Sequence, residues 1–142
     1  MKLYLVDTCV ISEVMKPKPN DAVVEWLCSN SNELRLSSVT VKELYYGALR
    51  MNEGMRKDSL MTSIENIVWL YGEDIIPFDK RAAIICARMH NRAQREGFTP
   101  TIEDLEIAAT CLSNDMTLVT RNVKDFDYLG VSLFNPFSDT KQ

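Results

Sequence analysis

Hydrophobic and polar positions alternate between two rhythms along this chain. Short apolar runs occur at residues 3–6, 34–37, 75–78 and 117–120, with a fainter one at 131–134. Each is strand-length, and together they predict four strands and a short fifth at an edge. Between them the spacing changes to that of helices. Val41, Leu44, Tyr45, Ala48 and Leu49 fall on one helical stripe, as expected for a helix facing a core. Ala82, Ile85, Cys86, Met89 and Ala93 repeat the stripe after Asp79, with Gly97 as a natural stop. Leu105, Ala108, Ala109 and Leu112 repeat it again, and Ile107 with Cys111 makes that segment apolar almost all round. Strands alternating with helices predict βαβ units. Helix pairs over 9–29 and 40–71 point to an α/β fold, a three-layer α/β/α sandwich with a mainly parallel sheet of four to five strands.

The length of 142 residues fits one domain, read here as residues 1–137, with 138–142 as a frayed tail. No apolar run approaches the roughly 20 residues of a membrane-spanning helix. The first seven residues already carry Lys2 and Asp7, unlike a signal peptide, so a cytoplasmic protein is expected. Cys9, Cys28, Cys86 and Cys111 are scattered without metal-ligand spacing, and His90 is the only histidine. Zinc sites rich in histidine are thereby excluded, and carboxylates become the leading candidates for chemistry. A net charge of −4 argues against a passive nucleic-acid binder. It does not exclude a nuclease, because cations held by acids invert the local field.

The acids fall at telling places. Asp7 directly follows the first predicted strand, at the edge where open parallel sheets build their sites; equally, it is placed to cap the helix from Cys9 to Met15. Thr40 with Glu43, and Thr101 with Asp104, each have the spacing of a capping box. Taken together, Asp7, Glu43 and Asp104 should meet at one end of the sheet. Three converging carboxylates repel one another, a tension that Mg²⁺ or Mn²⁺ relieves with oxygen ligands. Hydrolysis of a phosphodiester is the reaction such a centre serves most naturally. After the fourth strand, Asn122 and Asp125 offer further oxygens, with a turn cap and a solvated acid as their plain alternatives. Arg88, Arg92 and Arg95 share one helical face, which is either solvated or a phosphate-steering ridge; Lys16 and Lys18 are similar. Thr8, Lys16 and Arg92 are the candidate substrate contacts. Cys9 suits packing better than nucleophilic attack, and Trp26 and Trp69 suit a core or an interface.

Four segments resemble a known family. Residues 5–13 (LVDTCVISE), 36–47 (LSSVTVKELYYG), 103–110 (EDLEIAAT) and 118–126 (LVTRNVKDF) are similar to the motifs of PIN-domain toxins. These are the VapC type of bacterial toxin–antitoxin modules, including the Fit-type branch. The resemblance spans residues 3–137 in order. It implies a PIN-like fold and a Mg²⁺- or Mn²⁺-dependent endoribonuclease. It also implies a homodimer and a small antitoxin wrapped over the active site. Asp7, Glu43 and Asp104 take the acidic roles by position, with Asp7 and Asp104 as direct metal ligands. Cys9 stands where Asn is more usual, and Asn122 where some members carry Asp, which lowers the charge available to a second metal. The contrasting reading is a binding or regulatory subunit of the same fold, acting in a complex with a DNA-binding partner. A dehalogenase-type phosphatase or a receiver domain would need a second acid near Asp7, where Cys9 stands instead.

Overall fold

A computed structural model describes residues 2–138; the predicted tail beyond Ser138 lies outside the described residues. Five strands, β1 (Tyr4–Val6), β2 (Leu34–Ser37), β3 (Ile75–Ile76), β4 (Thr117–Val119) and β5 (Ser132–Phe134), form one sheet in the order β3-β2-β1-β4-β5. Every pairing is parallel, so the sheet is wholly rather than mainly so. In register, Val6 of β1 lies between Leu36 of β2 and Val119 of β4.

Alternation along the strands builds a core on each side. Leu5 and Leu118 face one way, toward α5 (Lys80–Arg95) and α6 (Ile102–Ser113), and pack with Met89, Ala93, Leu105 and Ala108. Val6 and Val119 face the other, toward α1 (Thr8–Val14), α2 (Asp21–Ser29), α3 (Ser38–Leu49) and α4 (Met55–Tyr71). Both cores are fully dry at the central strands, and truncating Leu118 to Ala removes contacts that typically contribute about 2–5 kcal/mol. Helix α6 packs against α5, α3 and β4, which is why residues on nearly every side of it are buried. Its alanines permit that close approach on several faces at once.

Leu49 and Leu112 depart from the expected stripes and are exposed. Leu49 is the last residue of α3, at the helix end. Leu112 faces an open cavity of about 330 Å³ that it lines with Ile85, Arg88, Met89 and Arg92. Trp26 packs between Tyr4 and Phe134, whereas Trp69 is 84% exposed and belongs to no core. Asp79 caps α5 as expected, its carboxylate accepting the Ala82 N–H. The other end closes in a Schellman turn: Gly97 adopts φ 85°, its N–H reaches the Gln94 carbonyl, and the Phe98 N–H reaches the Ala93 carbonyl.

The sheet order makes the chain leave β1 on one side for β2 and β3, then return on the other for β4 and β5. Between β1 and β4 the direction of winding switches, and a crevice opens at the strands' carboxyl ends. Asp7 follows β1 and Thr120 follows β4 at that crevice.

Candidate active site

Asp7 is 5% exposed and its carboxylate is held from several directions. Oδ1 accepts the Thr8 N–H at 2.8 Å, so the capping role is real. Oδ2 accepts the Thr120 hydroxyl at 2.8 Å and the Cys9 thiol at 3.5 Å. The Thr120 oxygen in turn accepts the Asn122 N–H at 3.0 Å. Capping and site-building are therefore one arrangement: Oδ1, with a single hydrogen bond, keeps lone-pair capacity for a cation, while Oδ2 is held by two donors.

Glu43 arrives differently from the expected capping box. The N-cap of α3 is Ser37, whose hydroxyl accepts the Val39 N–H, because β2 runs straight into the helix with no loop. Thr40 is thus inside the helix and fully buried. One turn on, Glu43 Oε1 lies 2.6 Å from the Thr8 hydroxyl, which also lies 3.0 Å from the Thr40 hydroxyl. These bonds tie α3 to the first residue of α1. Asp104 matches its expected place, with the Thr101 hydroxyl capping α6 by accepting the Asp104 N–H at 3.1 Å. An ion pair of 2.9 Å between Lys42 and Glu103 bridges α3 and α6 beside the two acids.

Charge ties the acids together. Burial raises the Asp7 carboxyl above its ordinary value despite the donors around it, and the Asp125 charge adds to this. Burial first and the Asp7 charge second lift Asp104 to about 6, with Asp125 and Glu43 contributing. Glu43 is also raised, chiefly by burial and then by Asp7 and Glu103, against the Thr8 hydrogen bond. Glu103 goes the opposite way, lowered by its hydrogen bond from Lys42. Burial and Asp7 hold the Cys9 thiol up, so it is no nucleophile at neutral pH.

The remaining sequence candidates divide. Asp125 stands close enough to load Asp7 and Asp104 with negative charge, and lines a cavity with Asp104 and Lys124. Asn122 occupies the N-cap position of the turn Val123–Asp125 without a side-chain capping bond. Lys16 lines a groove with Thr8, Ser12 and Glu43, where its ammonium is 2.9 Å from Glu13 Oε1. Arg92 sits apart, donating to the Tyr128 carbonyl at 3.2 Å and lying 3.9 Å from Glu96. Thr120 was not legible as a site residue. Its only signal is a hydroxyl at the end of an apolar strand, at the same edge as Asp7.

Among the described residues, no three His, Cys, Asp or Glu side chains are already packed as a metal cage. The donor chemistry nevertheless fits a hard cation: the donors are oxygens, and their mutual repulsion is unrelieved. Mg²⁺ usually takes only one or two carboxylates and completes its shell with water and phosphate oxygens.

The family model described as PIN domain matches residues 4–130. Toxin FitB of Neisseria gonorrhoeae is 37% identical over 139 residues, covering 96% of this chain and 100% of its own. A VapC ribonuclease of Sinorhizobium fredii is 33% identical over 138 residues, 95% of this chain and 98% of its own. A solved structure of FitAB bound to a DNA fragment superposes with a TM-score of 0.87 at 36% identity, covering 95% of this chain and 96% of that one. With the fold, the acids at its switch point and these likenesses agreeing, the chain belongs to the PIN domain family, in its VapC- and Fit-type toxin branch.

Proposed function

We propose that this chain is the toxin of a toxin–antitoxin module, an endoribonuclease that hydrolyses RNA phosphodiester bonds with Mg²⁺ or Mn²⁺. The observation that carries this reading is the gathering of Asp7, Glu43 and Asp104 at the sheet's switch point, each carboxyl raised by burial first and the charge of Asp7 raising the other two. Its relatives support the reaction class, one being called a ribonuclease and another a toxin. Asp7 and Asp104 would hold the cation, with Glu43 reaching it directly or through water, and Asn122 and Asp125 on the rim. Bound there, the cation would neutralise phosphate charge and lower the pKa of a water.

The chain's own residues do the positioning. Thr120, Cys9 and the Thr8 N–H fix Asp7 before any ligand arrives. Thr8 keeps Glu43 oriented and, with Lys16, lines the groove beside it where a strand can pass. After burial, the charges of Asp7, Asp125 and Glu43 add to the rise at Asp104, and a bound cation would offset that repulsion. A protein partner is supported by apolar residues left in solvent: Met55, Trp69 and Leu70 are each more than 70% exposed. We assign such surfaces to the antitoxin and to a second copy of the chain. No helix among the described residues is long and apolar enough to cross a membrane, which is compatible with a cytoplasmic site of action.

Cys9 and Asn122 are the features that favour the contrasting reading of a catalytically weak regulatory subunit. Purified chain incubated with RNA and Mn²⁺, with and without EDTA, separates the two. Cleavage should need the metal and fall by about 10²-fold or more in Asp7→Asn and Asp104→Asn, as when a group stabilising reaction charge is lost. Equal cleavage by these variants would overturn the assignment.

A further inference from the structure

Phe98 and Tyr128 stack face to face, their ring centroids 3.9 Å apart and their planes within 9°. Both are fixed from behind. The Schellman turn at Gly97 sets the Phe98 backbone, and Arg92 holds the Tyr128 carbonyl at 3.2 Å. Phe98 is nevertheless 40% exposed, so the stack leaves apolar ring surface in solvent. The pair lines a cavity of about 310 Å³ together with Pro100, Lys124 and the acids Asp104 and Asp125.

Packing alone does not account for this combination. A ring needed only for the core would be buried, as Phe126 is. Here a rigid aromatic step, a lysine and two carboxylates of the proposed centre share one open hollow. A flat ring surface takes a nucleobase of any identity, and an ammonium takes the adjoining phosphate. Stacking on a side chain requires a base already free of its helix, which only unpaired RNA offers.

The geometry points to the Phe98–Tyr128 pair as a stacking shelf for one unpaired base next to the cut phosphate, with Lys124 on the neighbouring phosphate. This deepens the ribonuclease reading and rests on it. Arg92 acts as a positioning residue for the shelf through its hydrogen bond to the Tyr128 carbonyl.

The test uses the full chain with Mn²⁺ and end-labelled single-stranded oligoribonucleotides, each with one base near the cut replaced by an abasic site. Phe98→Ala and Phe98→Leu should each lower kcat/KM by roughly 5- to 150-fold, the effect of losing one base–aromatic stack. Phe98→Trp should retain it. On the substrate lacking the stacked base, the parent should be slowed by a similar factor, and Phe98→Ala should slow it no further. Overturning results are a Phe98→Leu variant as fast as the parent, or equal losses for Phe98→Ala on intact and abasic RNA. If the parent cuts RNA, Asp104→Asn does not and Phe98→Ala matches the parent, the shelf alone falls. If the parent cuts no RNA, the nuclease reading falls and takes the shelf with it.

Discussion

Asp104→Asn should make this protein more stable while it stops the chemistry. The wild-type carboxyl titrates at about 6 in the fold, against an ordinary 3.8. The folded state thus binds this proton more tightly than the unfolded one. Stability contributed by the bound proton is fully present below the ordinary value and is lost as pH rises through about 6. At about 1.4 kcal/mol per pH unit the loss would reach about 3 kcal/mol without screening. Asp104 is only half-buried, so water reduces the figure to about 1–2 kcal/mol. The neutral amide avoids that penalty and also relieves Asp7 and Glu43 of one negative neighbour.

Thermal unfolding in EDTA checks the sign. Near pH 7.5 the variant should melt about 2–8 °C above the parent, and the gap should close toward about pH 4 as the parent's carboxyl protonates. Adding Mn²⁺ should raise the parent's Tm more than the variant's, since a ligand at about 100 times its Kd contributes about 2.7 kcal/mol. A variant that melts at or below the parent near neutrality, or a gap that does not change with pH, would refute the electrostatic reasoning.

Substitutions at two further positions probe the support of Asp7. Thr120→Val keeps the shape but removes the hydroxyl that donates to Asp7 and accepts from Asn122; urea denaturation should show a loss of about 1–3 kcal/mol from the unmet buried partners. Thr120→Ser should recover most of it, and no loss in the valine variant would mean that these bonds contribute nothing. Cys9→Ala should keep metal-dependent cleavage within roughly threefold, because a thiol bond of 3.5 Å is at the weak end of hydrogen bonding. An inactive alanine variant would show that the thiol takes part in the reaction.

Strand and helix order were legible because both rhythms were undisturbed: each of the five apolar runs carries a strand. Asp7 and Asp104 were legible for a related reason, since each stands at an element boundary where sequence signals are strongest. Glu43 was found by the right spacing for the wrong cause. Thr40 and Glu43 are three residues apart on one helix face, as a capping box also requires, but Ser37 is the cap and both side chains meet Thr8. The bond from Thr120 to Asp7 and the Phe98–Tyr128 stack could not be read as contacts. Their partners lie 113 and 30 positions away in the chain, and no periodicity encodes a contact across such a gap.

The charge pattern near the mouth explains how an acidic chain can work on a polyanion. Two of its cations are committed to glutamates there: Lys16 to Glu13 and Lys42 to Glu103. Each pair holds a groove wall or a helix junction in place, and each cancels charge that would otherwise draw RNA in. What stays uncancelled is the group of Asp7, Glu43, Asp104 and Asp125, whose shared negative charge also opposes the approach of a phosphate. A divalent cation held there, as proposed, would reverse both repulsions in one event, and would then precede or accompany the strand. On the proposed reading, the same repulsion that destabilises the fold at neutral pH would keep RNA from the site until an ion arrived, and that dependence would follow from the placement of four carboxylates rather than from the net charge of the chain.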